Sequence, residues 1–137
     1  MKTCRLFIVT MFLLAFALVS TKANADNTYS ARLITPTAGQ VLFPGQMVRV
    51  EWQSNLPKTN ANGCEMEVWL SLDGGQTFSM RLTPHMDPRA TYFYWTVPNT
   101  PTNAAVLDIR FGCEWYYPES YSPQPASTFV IANTSGH

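Results

Sequence analysis

Two runs of strict apolar–polar alternation, each carrying a cysteine at one end, constrain this chain more than any other feature. Residues 64–72 place Cys64, Met66, Val68, Leu70 and Leu72 on one side, with Glu65 and Glu67 on the other. Residues 105–113 place Leu107, Ile109, Phe111 and Cys113 on one side, opposite Asp108 and Arg110. A period of two is that of a strand whose one face is buried. A third run, 46–52, repeats the pattern, with Val48, Val50 and Trp52 opposed to Arg49 and Glu51.

Shorter apolar and aromatic runs at 29–35, 41–43, 77–82, 91–97 and 127–132 are separated by Pro, Gly, Asn and Asp. Pro44-Gly45 suits a type II turn, and Asp73-Gly74-Gly75 a tight hairpin turn. In the 91–97 run, Tyr92 and Tyr94 alternate with Phe93 and Trp95, and the tyrosines are expected to face solvent. No helical stripe interrupts the series. Seven or eight short strands in roughly 110 residues predict an all-β fold, an antiparallel two-sheet sandwich. A small closed barrel is the alternative. Charges opposite each apolar face predict that each sheet has one wet side.

The front of the chain has a different character. Lys2 and Arg5 precede an apolar run at 6–19 broken by Thr10, and Ala23-Asn24-Ala25 stands before Asp26. A charged start, an apolar stretch and an A-x-A site form the signature of a secretory signal peptide cleaved after Ala25. Fourteen helical residues reach about 21 Å, short of the roughly 30 Å hydrocarbon core. Residues 26–137 then form one domain in a secreted, periplasmic or extracellular protein. No membrane span is expected once the signal is removed. Past Ala25, six basic residues face nine acidic ones, and all ten prolines and seven glycines lie there. That balance excludes a multidomain enzyme, a disordered chain, a polytopic membrane protein and a basic nucleic-acid binder.

Removing the signal also removes Cys4. Cys64 and Cys113 remain, an even pair in an exported chain, which predicts a disulfide. Two cysteines and two histidines without C-x-x-C spacing make a poor zinc set. Neither a metal nor a cofactor is expected.

Residues Ser71-Leu72-Asp73-Gly74-Gly75-Gln76-Thr77-Phe78 fit S-x-D-x-G-x-T-[WF]. They resemble the Asp-box turn of sialidases and related propellers. That resemblance implies a structural hairpin in which Ser71, Asp73, Gly75, Thr77 and Phe78 shape the turn. One box in a chain this short does not make a propeller.

A wider resemblance runs from about Leu33 to Ala132. It rests on Ile34-Thr35-Pro36, Gly45 with Val48-x-Val50-x-Trp52, the 68–78 segment, Tyr94-Trp95-Thr96-Val97-Pro98, Ile109-Arg110 and Ser127-Thr128-Phe129-Val130-Ile131. These look like the immunoglobulin- or fibronectin-III-like modules of secreted bacterial proteins, and are similar to the sandwich domain of fungal cell-wall assembly proteins. In an immunoglobulin-type order Cys64 begins the third strand and Cys113 ends the sixth. Those strands are antiparallel neighbours, so the bridge is expected within one sheet rather than between two.

Catalysis has little to draw on. The chain lacks G-x-S-x-G, H-E-x-x-H and P-loop motifs. His85, in Thr83-Pro84-His85-Met86-Asp87-Pro88, reads as an exposed loop histidine, and Glu65 with Glu67 as a solvated strand face. No catalytic residue is assigned. The segment 114–123 stands out instead, with Trp115, Tyr116, Tyr117 and Tyr121 in what reads as an exposed loop. It is expected to share an end of the fold with the polar connection 54–63. Trp69, on the side of its strand away from Val68 and Leu70, is a further candidate. Aromatic faces beside Glu, Asn and Ser offer stacking and hydrogen bonds to a carbohydrate or a protein partner; the alternative is that these rings cap the open end of the core and rigidify a Pro-rich loop. The expected function is a non-catalytic binding or interaction module. The alternative is a structural, self-assembling component of the cell envelope.

Overall fold

The structure, a computed structural model, describes residues 28–58, 60 and 62–134. The signal segment and its cleavage after Ala25 lie outside the described residues. The strands in chain order are β1 Ser30–Thr35, β2 Val41–Leu42, β3 Met47–Asn55, β4 Cys64–Ser71, β5 Met80–Arg81, β6 Tyr92–Thr96, β7 Thr102–Cys113, β8 Tyr117–Ser120 and β9 Phe129–Ile131. The protein is all-β, with two sheets and one disulfide.

The smaller sheet has the order β1-β3-β6; the larger runs β2-β9-β7-β4-β5, with β8 also on β7. The pairings are antiparallel with one exception. β2 lies parallel to β9, Val41 beside Val130 and Leu42 beside Ile131, so the larger sheet is mixed rather than antiparallel throughout. After Thr35 the chain changes sheets and takes the free edge of β9.

Local chemistry accounts for the strand ends. Phe43 accepts a hydrogen bond from the Gln46 N–H at 3.0 Å, with Gly45 at φ 81° between them. That is the type II turn foreseen at Pro44-Gly45, and its left-handed corner favours glycine. β4 and β7 pair over eight positions, from Cys64↔Cys113 to Ser71↔Val106. The two cysteines are opposed in register and joined, which places the bridge within one sheet, as foreseen.

The inward residues of both sheets meet in one core. Leu33, Val50, Trp52 and Trp95 come from the smaller sheet; Met66, Val68, Leu70, Leu107, Ile109 and Phe111 come from β4 and β7. Trp95 meets Phe129 edge-on at 6.3 Å, and Tyr29 stacks on Phe111 at 5.1 Å. Tyr92 and Tyr94 are exposed, as the alternation predicts. A polar seam fastens β1 to the larger sheet. The Gln124 side chain accepts from the Leu33 N–H at 2.8 Å and donates to the Ala31 carbonyl at 2.9 Å. Ser122 Oγ accepts from the Ala31 N–H at 3.0 Å.

The 71–78 turn has the internal bonding that its resemblance to an Asp-box implies. Ser71 Oγ donates to Asp73 at 2.6 Å and accepts from the Gly75 N–H at 2.8 Å. Asp73 also accepts from the Thr77 N–H at 2.9 Å and the Thr77 hydroxyl at 2.6 Å. Phe78 closes against Gly75. The strand beyond, Met80–Arg81, is shorter than the expected 77–82, with one further backbone bond from the Leu82 N–H to the Val68 carbonyl at 2.8 Å.

These bonds, led by the Ser71 hydroxyl and then Thr77, hold the Asp73 carboxyl down at about 2. A carboxyl lowered by folding stabilises the fold above its unfolded value of about 3.9, and that contribution is lost as pH falls through the folded value. Asp73→Asn is therefore expected to melt below the wild type near neutral pH. Thermal scans should show the gap narrowing as pH drops from about 4 toward 2. A gap independent of pH would contradict this account.

Candidate functional site

β7 is the strand from which the site is built. β4 occupies one of its edges; the other is shared by β9 near Thr102–Ala105 and β8 near Phe111–Cys113. Unpaired backbone in mid-sheet is costly, so the chain past the hairpin returns along this edge. It corrects the expectation for 114–123, where 117–120 is strand rather than exposed loop. Gly112 permits the approach, since a Cβ there would meet the Glu119 Cα at 3.1 Å.

The aromatic candidates separate into three roles. Trp115, at the hairpin tip, is 93% exposed and is the one non-glycine described residue with positive φ, at 78°. Tyr116 turns back to the 54–63 connection, where its hydroxyl contacts the carbonyls of Asn60 and Asn62 and has one proton to share between them. Tyr117 is a core cap. Its ring meets Phe111 edge-on at 5.4 Å, and its hydroxyl accepts from the Tyr29 N–H at 3.0 Å. Burial, then the Asp108 carboxylate, pushes the Tyr29 phenol up, so it stays a neutral donor to the Ile109 carbonyl at 2.9 Å.

Trp69 and Tyr121 meet away from the tip, on the outer face of the larger sheet. The Arg110 guanidinium lies over the Trp69 ring at 4.4 Å and the Tyr121 ring at 4.7 Å. It also pairs with Asp108 at 2.7 Å and reaches Glu119 at 3.7 Å. Asp108 is buried, and its second oxygen accepts from the Ser122 N–H at 2.8 Å. The expectation of a wet outer face fails here. Trp69, Tyr121 and the return of β8 cover it, and a buried carboxylate tolerates this because every partner is supplied.

Beside this stack, Glu65, Glu67 and His85 converge. Met66 and Met86 exchange backbone hydrogen bonds at 3.1 and 2.9 Å, which lays the His85 segment along β4. One ring nitrogen of His85 contacts Glu65, and Nε2 lies 2.8 Å from Glu67. Glu67 also accepts from Trp69 Nε1 at 2.7 Å and pairs with Arg81 at 3.5 Å. Its side chain is 13% exposed, which corrects its reading as a solvated residue. His85 is exposed as expected, yet both its nitrogens are engaged. One atom from each of the three residues lies within 4.8 Å of the others, close enough for them to hold a metal ion.

The three residues border a groove of about 670 Å³ that continues past Arg110 to Tyr117, Pro118 and Glu119. Trp115, Tyr116 and Pro118 line a shallower depression at the tip. The alternation foretold the face of each glutamate. It held no sign of the histidine, apart from the proline-bracketed segment that follows a strand paired with β4. No protein-family model, curated protein or solved structure matches the chain.

Arg110→Met strands the buried Asp108 charge. It is expected to lower the unfolding free energy by about 3 kcal/mol in urea denaturation. Glu119→Gln, at the exposed partner, should change it by less than about 1 kcal/mol.

Proposed function

We propose that this chain is an exported, non-catalytic recognition module on an immunoglobulin-like sandwich, and that the β7–β8 hairpin tip binds carbohydrate. The observation that carries the reading is Trp115, an indole held almost fully in solvent by a left-handed backbone. A bulky residue rarely adopts that conformation, and such strain gathers at ligand-contacting sites. The disulfide at Cys113 and the Tyr116 anchor hold the tip from both sides, so little ordering accompanies binding.

Ligand chemistry follows from the surroundings. The tip is narrow, and carboxylates of the neighbouring groove, Glu114 and Glu119, stand close to it. A pyranose ring needs an aromatic face for its C–H side and acceptors for its hydroxyls. A protein interface is built instead around a wider apolar centre with a polar rim. The strand order supports the sandwich. β1, β3 and β6 form one layer and β2, β9, β7, β4 and β5 the other, with a common core. An exported location accords with the disulfide, and no helix of the described residues is long and apolar enough to cross a membrane.

A second reading, self-assembly in a cell envelope, draws on β6. It is an edge strand of the smaller sheet and carries the exposed Tyr92 and Tyr94. Light scattering that rises with protein concentration and falls on Tyr94→Lys would favour it.

Glycan-array retention tests the first reading, and the tip residues should separate cleanly. Trp115→Ala is expected to abolish retention with the melting temperature unchanged. Tyr117→Ala should cost about 3 kcal/mol of stability, because it opens the core beside Phe111. Retention that survives Trp115→Ala, or no glycan retained at all, would overturn the carbohydrate assignment.

A further inference from the structure

We propose that Glu65, Glu67 and His85 form a binding site for one divalent first-row metal ion of the zinc type. A neutral ring has one N–H donor and one lone pair, whereas carboxylate oxygens only accept. Here both nitrogens face carboxylates, Nδ1 toward Glu65 and Nε2 toward Glu67 at 2.8 Å. The three side chains thus bring one ring nitrogen and two carboxylates together on the outer face of the larger sheet.

The donor set selects the metal. One imidazole nitrogen and two carboxylate oxygens suit zinc and its neighbours, while calcium and magnesium prefer shells made of oxygen alone. Three protein ligands leave a coordination position for water or a bound molecule. The ligand atoms lie within 4.8 Å of one another. Ligands about 2.1 Å from a tetrahedral zinc stand about 3.4 Å apart, so the ring–carboxylate contacts must open slightly while the widest separation closes by at most about 1.4 Å. Glu65 and His85 are about half exposed and free to make that movement.

Glu67 is already held in place. Its Oε2 accepts from Trp69 Nε1 at 2.7 Å, and its other oxygen pairs with Arg81 at 3.5 Å. Outer partners of this kind orient the ligands of a metal site and tune its affinity. His85 is carried by the Met86 bridge to β4, so both sides of the site rest on paired backbone. Arg81 and Arg110 oppose a cation; the carboxylates of Glu114 and Glu119 along the same groove offset them. In the bound state one ring nitrogen gives its lone pair to the metal and the other keeps its N–H.

The test is calorimetric titration of the purified protein with zinc chloride near neutral pH. One zinc per chain, micromolar affinity and a raised melting temperature are expected. His85→Ala and Glu67→Gln should each weaken binding at least tenfold. Trp69→Phe, which keeps all three ligands and removes the outer N–H, should weaken it about tenfold. His137→Ala should leave it unchanged. His85 is exposed, so its variant keeps the fold, and circular dichroism verifies that. The proposal is overturned if zinc uptake does not saturate, if it survives His85→Ala, or if calcium binds equally well. It is likewise overturned if nitrogen NMR finds both ring nitrogens protonated and unaffected by zinc.

Discussion

The pairing of β4 with β7 is the contact on which the rest of the molecule depends. Eight opposed residue pairs, closed at one end by the Cys64–Cys113 bond, give a ribbon with two differently used faces. Its inner face supplies Met66, Val68, Leu70, Leu107, Ile109 and Phe111 to the core. Its outer face supplies Glu65, Glu67, Trp69, Asp108 and Arg110 to the polar cluster. A ribbon that buries apolar groups on one side and satisfied charges on the other has one admissible register. A slip by a single residue would exchange the two sets. The bond spans 49 residues of sequence, worth about 4 kcal/mol in the chain-entropy account, and it ties that register down.

The outer cluster joins stability to chemistry. Arg110 reads as a surface charge in the sequence, yet it neutralises a buried aspartate and lies against two aromatic rings. The indole beneath it directs its N–H to Glu67, and Glu67 faces His85. Each member therefore orients the next. Networks of this kind are worth more than their separate pairs and fail together when one member is removed.

Much of this was legible in the sequence, and what escaped has a physical reason. Alternation in 64–72 and 105–113 told which side chains enter the core, and the cysteine pair told which two strands are joined. The Asp-box pattern foretold the bonding of Asp73 and Thr77. All of these are local regularities. β8 escaped because Tyr117-Pro118-Glu119-Ser120 is a poor strand in isolation, and the free edge of β7 imposes its conformation. The same dependence on a distant edge made β2 parallel to β9. His85 escaped because its partners are 18 and 20 positions away and the Met66–Met86 bridge leaves no periodic trace. Tyr117 could be told from Trp115 only once Tyr29 and Phe111 had been placed beside it.

The placement of the disulfide gives the exposed indole a condition for existing. Cys113 ends β7, Trp115 follows after one intervening residue, and Cys64 opens β4 beside the Tyr116 anchor. A chain that folded among reducing thiols would keep its apolar core and lose the clasp at the foot of the hairpin. The Trp115 ring would then no longer be held in a fixed pose. Oxidation of the two thiols is thus a precondition for the pose of the indole as well as a contribution to stability.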